Sequence, residues 1–181
     1  EKMLYDNAML VYTYAEAYAR TGNALYRIAS ERSADYVIRE LGSPTGGFFS
    51  SQNADSDGEE GKYYALTPDE VESVLGKNDA QVFCLHYRIT HPGNFEGRNI
   101  PNLIGEDSPE EDSELMSDLR ADIYRFRLER SRLSRDEKIL TAWNGMMIAA
   151  LAKAGRVFGK EKYLNAAMEA EEFIRDALTR R

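Results

Sequence analysis

The sequence predicts a mainly α-helical protein with one small β element. Three observations support this prediction. Most of the chain has apolar residues at three- and four-residue spacing, two short aromatic runs flank an acidic, glycine-rich turn within 46–66, and two distant helical segments resemble each other. We expect a single domain over 1–181. Its parts are helical hairpins at 3–41 and 136–179, a β- and loop-rich connection at 44–105, and a charged helix at 113–132.

The first half of the chain contains clear helix boundaries. The pattern predicts helices over 3–20 and 24–41, separated by Gly22, and Gly42-Ser43-Pro44 ends the second because proline cannot extend a helix. Thr67-Pro68 has the form of an N-cap followed by proline at the first helical position, and predicts a helix that runs to Leu75. Another short helix is expected at 79–86. A loop is expected at 87–102, where helical periodicity is absent and turn formers are frequent.

The second half begins with an acidic segment, 106–113, which we expect to be solvated. In the charged helix that follows, we expect an apolar stripe of Leu115, Leu119, Ile123, Phe126 and Leu128. Residues 136–145 lead into a very apolar helix, expected to end near Leu151 because Gly155 and Gly159 follow. A last amphipathic helix is expected at 160–179.

The composition excludes several classes of function. With 43% apolar and 30% charged residues, the chain is typical of a globular protein. A net charge of −8 argues against nucleic-acid binding, and no apolar run approaches the roughly 20 residues of a membrane span. We expect a cytoplasmic protein with no intramolecular disulfide, since Cys84 is the one cysteine. The chain starts directly in a helical pattern, which suggests a segment of a larger protein.

The tip of the β element resembles the first half of a calcium-binding loop. Oxygen-bearing side chains alternate from Asn53 to Asp57, and Gly58 stands at the sixth position. The twelfth position, where a bidentate glutamate is needed, is Tyr64, and the flanks favour strands rather than helices. We therefore predict no metal and no cofactor. Two interpretations remain: a turn whose side chains bond their own backbone, or carboxylates that line a polar cavity.

An internal repeat relates the two helical hairpins. A shift of 137 residues gives eight identities in the thirty-five positions from Asn7 to Leu41, and both copies turn at the same glycine. The alternative is two unrelated amphipathic hairpins that share an alanine-rich face. The identical pairs are Asn7/Asn144, Met9/Met146, Ala15/Ala152, Ala17/Ala154, Gly22/Gly159, Tyr26/Tyr163, Ala29/Ala166 and Leu41/Leu178.

Repeated hairpins cannot bury their apolar faces alone, so they stack into an open solenoid or a closed ring. In a ring, the inner helices are rich in alanine and glycine because they crowd the centre, and the helix from 142 to 154 fits that position. The charged helices at 24–41 and 160–179 fit outer positions. An (α/α) toroid of this kind would present its connecting loops, including 46–66, around one mouth.

Several short motifs follow one another along the chain. They are residues 1–8 (EKMLYDNA), 46–48 (GGF), 54–56 (ADS), 59–64 (EEGKYY), 93–99 (GNFEGRN) and 138–145 (KILTAWNG). In this order they resemble the YyaL-type family, which includes the spermatogenesis-associated thioredoxin-domain proteins, and the resemblance covers essentially the whole chain. Asn53 and Ser134 depart from the pattern, since the family favours an acid and a proline there.

The resemblance implies a larger protein in which a thioredoxin-like domain precedes an (α/α)6 toroid. That toroid is similar to N-acylglucosamine 2-epimerases and six-hairpin glycosidases, and this chain would be a fragment of it without the thioredoxin-like domain. The implied partners are a saccharide and the thioredoxin-like domain. A homo-oligomer is also compatible with an incomplete ring.

Sugar-processing toroids need paired carboxylates and aromatic platforms for pyranose rings. We predict Asp55 and Asp6 as catalytic acids. The predicted substrate-binding residues are Tyr5, Asn94, Glu96, Trp143 and Asn144.

Two classes of function remain open. The first is a module that binds or modifies a carbohydrate, as a hydrolase or an epimerase. The epimerase version is weakened because such enzymes use histidine pairs and this chain has only His86 and His91. The second is a non-catalytic scaffold attached to the redox domain. The first predicts that Asp6, Asp55, Trp143, Asn144 and the loop at 93–99 line one cleft.

Overall fold

The computed structural model describes residues 1–105 and 113–178. It is mainly helical, as predicted, and the contacts divide it into two compact units. The first unit comprises residues 1–53 and 135–181, and the second comprises 54–134. The predicted acidic segment falls almost entirely on 106–112, outside the described residues. The helices are α1 (Leu4–Thr21), α2 (Ala24–Tyr36, continued by a π-helical turn Val37–Leu41), α3 (Pro68–Leu75), α4 (Lys77–His86), α5 (Glu114–Arg130), α6 (Thr141–Phe158) and α7 (Glu161–Phe173, continued by a π-helical turn Ile174–Leu178).

The predicted repeat is present element by element in the first unit. Hairpin 1 is α1 with α2, and hairpin 2 is α6 with α7. A shift of 137 residues converts every helix boundary of hairpin 1, including its π-helical turn, into that of hairpin 2. Gly22 and Gly159 end the first helix of each hairpin in the left-handed conformation, with φ of 68° and 66°. The two hairpins are therefore copies of one structural unit.

The strands are short, and most of the pairing is between distant segments. In the first unit β2 lies between β1 and β5, antiparallel to both. In the second unit β3 and β4 form a hairpin. The strands are β1 (Lys2–Met3), β2 (Ser51–Gln52), β3 (Asp55–Ser56), β4 (Glu59–Glu60) and β5 (Arg135–Asp136).

The predicted hairpin over 46–66 is wrong in its extent. The hairpin spans only β3 and β4, joined by Asp57 and Gly58, whose positive φ values of 54° and 81° suit a two-residue turn. The earlier part of the stretch contributes β2 to the other sheet instead. Its backbone groups bond to segments on either side that are far away in sequence, and local patterning does not reveal such partners.

Two further expectations are corrected. The helix α6 does not end near Leu151 but continues to Phe158, because Gly155 is buried in its interior and lets Leu164 of α7 approach closely. In α5 the ends of the predicted stripe are wrong, since Leu115 and Leu128 are 49% and 48% exposed. The buried side chains are Met116, Leu119 and Ile123.

Candidate functional site

The three-stranded sheet brings the starts of α1 and α6 together. β1 leads directly into α1, and β5 precedes α6 by four residues. Both strands pair with β2, with Met3 opposite Ser51 and Ser51 opposite Asp136. The two helices therefore begin side by side at the same end of the first unit.

Contacts along the two helices show that they run in the same direction. Near their starts, the ring centroids of Tyr5 and Trp143 lie 4.8 Å apart in an edge-to-face arrangement. Further along, Lys153 pairs with Glu16, and at the far ends the rings of Tyr18 and Phe158 lie 5.5 Å apart. The first helices of successive repeats are thus parallel neighbours, and their positive dipole ends lie together.

Tyr5, Asp6 and Trp143 form the candidate site of the first unit, which we call the helix-start site. Tyr5 and Trp143 are half-buried, and Asp6 is exposed in the first turn of α1. The edge-to-face pair leaves part of the two aromatic side chains accessible at the helix starts. The exposed carboxylate of Asp6 is next to Tyr5 in sequence. An amphipathic ligand with apolar faces and hydroxyl groups matches this combination. The structure therefore brings Tyr5 and Trp143 together.

Beside the helix starts, a row of polar groups fixes β2, and its members Ser50 and Gln52 are buried. The Tyr36 hydroxyl donates to Gln52 Oε1 at 2.9 Å, and the Lys2 ammonium lies 4.8 Å from the centre of the Tyr36 ring. The Ser50 hydroxyl donates to the Asp136 carbonyl at 3.0 Å. Bonds from the Lys138 side chain and backbone lower the pKa of the exposed Asp136 carboxylate. These groups are engaged in holding the sheet.

Asn144 is fully buried and holds the loop that follows hairpin 1. Its oxygen accepts the Phe48 N–H at 2.7 Å, and its amide donates to the Phe48 carbonyl at 2.9 Å and to the Leu140 carbonyl at 3.1 Å. Gly47 is required here, because a Cβ at its φ of 75° would lie 2.9 Å from the Phe173 ring. This geometry gives Asn144 a structural role and leaves it poorly suited to the ligand contact predicted from sequence.

In the second unit, Asp55 lies on the exposed side of the small hairpin, opposite Glu60. The neighbouring Ser56 is buried. Its hydroxyl bonds to the Ser131 hydroxyl and donates to the Arg132 carbonyl at 2.9 Å, and the Ser131 hydroxyl also bonds Asp57 at 2.9 Å. These bonds fix the hairpin to the end of α5. Asp6 belongs to the first unit, so the predicted pairing of Asp6 with Asp55 stays a prediction.

The loop that carries Asn94 and Glu96 is held by its own backbone. Asn94 accepts the Ile100 N–H at 2.8 Å and donates to the Ile100 carbonyl at 3.1 Å, although its side chain is exposed. Glu96 is exposed at the tip of a turn with Gly97, where both φ values are positive. Asn99 is buried and bonds Thr90 and Leu66. The loop is therefore ordered, and Glu96 is its exposed carboxylate.

A charged cluster that the sequence analysis missed is centred on Glu70. Glu70 accepts the Thr67 N–H at 2.9 Å, which forms a capping box with the predicted N-cap Thr67, and it accepts two bonds from Arg98 at 2.5 and 2.6 Å. Nη1 of Arg130 lies 3.2 Å from Oε1 of Glu70. Burial raises the pKa of Glu70, but these bonds and charges outweigh it and the net pKa is lowered. The capping box could have identified Glu70, but nothing in the sequence indicated its arginine partners.

Arg130 and its neighbour in α5, Arg127, also hold the backbone before α3. Arg130 donates to the carbonyls of Lys62, Tyr63 and Ala65, the last two at 3.1 and 3.0 Å. Burial lowers the pKa of Arg130, and the charge of Glu70 opposes this effect. The Arg127 guanidinium lies 5.2 Å and 5.3 Å from the ring centres of Tyr63 and Tyr64. The cluster therefore ties α3, α5 and the segment 62–65 before α3 together.

Other candidate chemistry is limited within the described residues. No group of three or more His, Cys, Asp or Glu side chains there could hold a metal ion. His86 and His91 are both exposed, and burial raises the pKa of the Cys84 thiol. None of the described helices is long and apolar enough to cross a membrane.

The repeat and the sheet define the first unit as part of a helical-hairpin repeat protein. Scanned against models of known protein families, the chain matches none. It is 31% identical over 210 residues to human spermatogenesis-associated protein 20, and 30% identical over 209 residues to the mouse protein of that name. An uncharacterized protein of Caenorhabditis elegans is 24% identical over 207 residues.

The two mammalian matches cover 97% of this chain, but only 27% of the human and 26% of the mouse protein. The chain is thus related, over almost its whole length, to a part of spermatogenesis-associated protein 20. This result confirms the recognition made from its motifs. The chain spans about a quarter of the length of those mammalian relatives.

Proposed function

We propose that the two hairpins are neighbouring units of an (α/α) toroid, and that the helix-start site at its mouth binds a saccharide. Support for the toroid comes from the repeat. The inner positions of a toroid are occupied by parallel first helices of successive hairpins, which is the relation between α1 and α6. The alternative, an open solenoid, uses the same contacts, so the closure of the ring is part of the proposal.

The single observation that carries the saccharide proposal is the Tyr5–Trp143 pair beside Asp6. Pyranose rings have apolar faces that pack on aromatic side chains, and their hydroxyl groups donate hydrogen bonds to carboxylates. Both rings are half-buried and locked edge to face, so little side-chain entropy is lost when a ligand binds. The site is also positioned by a sheet rather than by a loose loop.

A catalytic role requires a second carboxylate. Glycoside hydrolysis uses two acids, and their separation decides whether the anomeric configuration is retained or inverted. We propose Asp6 as the acid of the helix-start site. Asp55, Asn94 and Glu96 belong to the second unit, so their predicted roles stay predictions. We further propose that the module acts in the cytoplasm beside a thioredoxin-like domain, as the family resemblance implies.

The test uses intrinsic fluorescence, because Trp143 is the one tryptophan in the chain. The chain is titrated with a panel of mono- and disaccharides while the emission of Trp143 is followed. A saccharide that stacks on the site is expected to change this emission saturably. Tyr5→Ala and Asp6→Asn are each expected to weaken the apparent affinity about tenfold, which corresponds to one lost stacking or charged hydrogen-bond contact.

Asp69→Asn is the matched control, because Asp69 is also an exposed aspartate in the first turn of a helix. It removes the same charge from α3 and is expected to leave the titration unchanged. No saturable change with any saccharide, or an equal loss in Asp69→Asn, contradicts the saccharide proposal.

A scaffold is the second candidate function, and a different observation favours it. Asn144 and Asn99, which both stand in the motifs shared with the family, bond only to the backbone of their own unit. These motifs therefore have a structural explanation that needs no ligand. If the saccharide titrations are flat while the chain stays folded, the scaffold becomes the better proposal.

A further inference from the structure

The chain enters and leaves the second unit at neighbouring points of the first. The first unit ends at Asn53 and resumes at Arg135, and Gln52 pairs with Arg135 in the antiparallel ladder of β2 and β5. Directly opposed residues of such a ladder lie about 4.5–5.5 Å apart, a gap that a two-residue turn can close. Residues 54–134, which we call the insert, therefore interrupt the first unit at a single place.

A second contact joins the two ends of the insert itself. Near its start, the Ser56 hydroxyl is hydrogen-bonded to the Ser131 hydroxyl and donates to the Arg132 carbonyl at 2.9 Å. The Ser131 hydroxyl donates to the Asp57 carboxylate at 2.9 Å. Ser56 and Ser131 are 2% and 5% exposed, so these bonds are shielded from water. The insert thus holds its own ends together.

Each unit also has a hydrophobic core of its own. In the first unit the core is formed mainly by α1, α2, α6 and α7. In the insert it is formed by α3, α4 and α5 together with residues next to them. Its buried members are Leu66, Val71, Ala80, Phe83, Tyr87, Ile89, Met116, Leu119 and Ile123. The apolar burial that drives folding is therefore supplied to the insert by its own residues.

The polar contacts of the insert join its distant parts to one another. Glu70 of α3 is bound by Arg98 of the ordered loop and lies beside Arg130 of α5. The backbones of Leu66 and Asn99 exchange two N–H to carbonyl bonds of 2.8 Å. The buried Asn99 side chain adds a bond to the Leu66 carbonyl at 3.2 Å. Because each bond needs separate segments of the insert in place, together they favour an all-or-none transition.

We propose that residues 54–134 are an inserted module that folds and unfolds as one cooperative body, independently of the helical hairpins. Segments that have their own core and adjacent ends can fold alone and are accepted by other domains as insertions. Domains of about 60 residues already fold alone, and the insert is longer than that. Tyr5, Asp6 and Trp143 all belong to the first unit, so the helix-start site keeps its geometry while the insert is unfolded. The inference holds whether or not that site binds a saccharide.

The test destabilises one unit at a time within the full chain. Leu119→Asp places a carboxylate in the core of the insert, and Leu151→Asp does so in the core of the first unit. These two leucines are 4% and 0% exposed. Leu115→Asp and Met146→Asp are the matched controls on the same two helices, at positions that are 49% and 48% exposed.

Pulsed hydrogen exchange, measured by mass spectrometry over a series of urea concentrations, gives an unfolding midpoint for each unit. Peptides from α3 and α5 report on the insert, and peptides from α1 and α6 report on the first unit. The emission of Trp143, the one tryptophan of the chain, is an independent probe of the first unit.

Leu119→Asp is expected to lower the urea midpoint of the insert, or to leave the insert unfolded without urea. The unpaired buried charge should favour unfolding of the insert by a factor of at least about a hundred. The midpoint of the first unit and the Trp143 emission are expected to keep their wild-type values. Leu151→Asp is expected to do the converse, and the two controls are expected to shift neither midpoint. A core variant that shifts both midpoints, or neither of them, overturns the proposal.

Discussion

In the first unit the central buried polar contact is made by a neutral amide. In the second unit the central polar group is a carboxylate, and arginines surround it. Asn144 joins hairpin 2 to the loop after hairpin 1 through two hydrogen bonds to Phe48, and makes a third to Leu140, in a core rich in alanine, leucine and methionine. Glu70 joins α3 to Arg98 and Arg130 and is 26% exposed. The neutral contact does not depend on pH, but the charged one does. The two units should therefore respond differently to acid and to the loss of one partner.

The largest expected effect comes from Asn144→Ala. The substitution leaves the N–H and carbonyl of Phe48 buried without their partners, and each orphaned group costs about 1–3 kcal/mol. We expect a loss of about 3 kcal/mol in the free energy of unfolding, with no dependence on pH between neutral and mildly acidic solution. Denaturant titration followed by Trp143 emission measures it, since this residue reports on the first unit.

Glu70→Gln is expected to cost about 2 kcal/mol at neutral pH. A fully buried pair that loses one partner costs about 3–5 kcal/mol, and the partial exposure of Glu70 reduces this. The pKa of Glu70 is lowered in the folded chain, so its contribution is complete above its ordinary value of 4.5 and disappears as pH falls through the lower folded value.

The wild-type chain and Glu70→Gln are therefore expected to converge in stability as the solution becomes acidic. Hydrogen exchange measured by mass spectrometry on peptides from α3 and α5 follows this convergence in the second unit. A difference between the two proteins that stays constant from neutral to acidic pH contradicts the assignment of Glu70 as the pH-sensitive group.

Two glycines of α6 are expected to respond with opposite signs. In Gly155→Ala the new Cβ would lie 2.7 Å from Leu164 side-chain atoms and 3.1 Å from its backbone nitrogen. Overpacking costs about 1–3 kcal/mol, and the better helix propensity of alanine returns about 1 kcal/mol, so the net loss is about 1 kcal/mol. Gly145 has open space around its Cβ position, so Gly145→Ala is expected to stabilise by up to about 1 kcal/mol. Thermal unfolding of both variants checks the signs.

Much of the first unit could be predicted because its signals are local or repeated. The glycine at the end of α1, the proline after α2 and the 137-residue shift placed α1, α2 and α7 to within a few residues. The sheet could not be predicted, since strands of two residues have no pattern and their partners are up to 86 positions apart in the Asp136–Ser50 bond. Gly155 was read as a helix end because its neighbour Leu164 becomes visible only in three dimensions.

The site was predicted less well than the fold. Aromatic residues at helix starts suggested Tyr5 and Trp143, which the structure brings into contact. Asn144 looked like a ligand contact from sequence because an asparagine at a helix start is polar and its backbone partner lies 96 residues away. The arginine cluster was missed for the same reason, since Arg98 and Arg130 approach Glu70 from separate parts of the chain.

Asn7→Ala is expected to have the smallest effect on stability. Asn7 is the repeat partner of Asn144, but the bond to the Met3 carbonyl is the one lost, which costs about 0.5–1 kcal/mol, well below the cost at Asn144. Denaturant titrations of wild type, Asn7→Ala and Asn144→Ala, followed by Trp143 emission, measure the difference. Equal costs for the two substitutions would contradict the structural role given to the Asn144–Phe48 bonds.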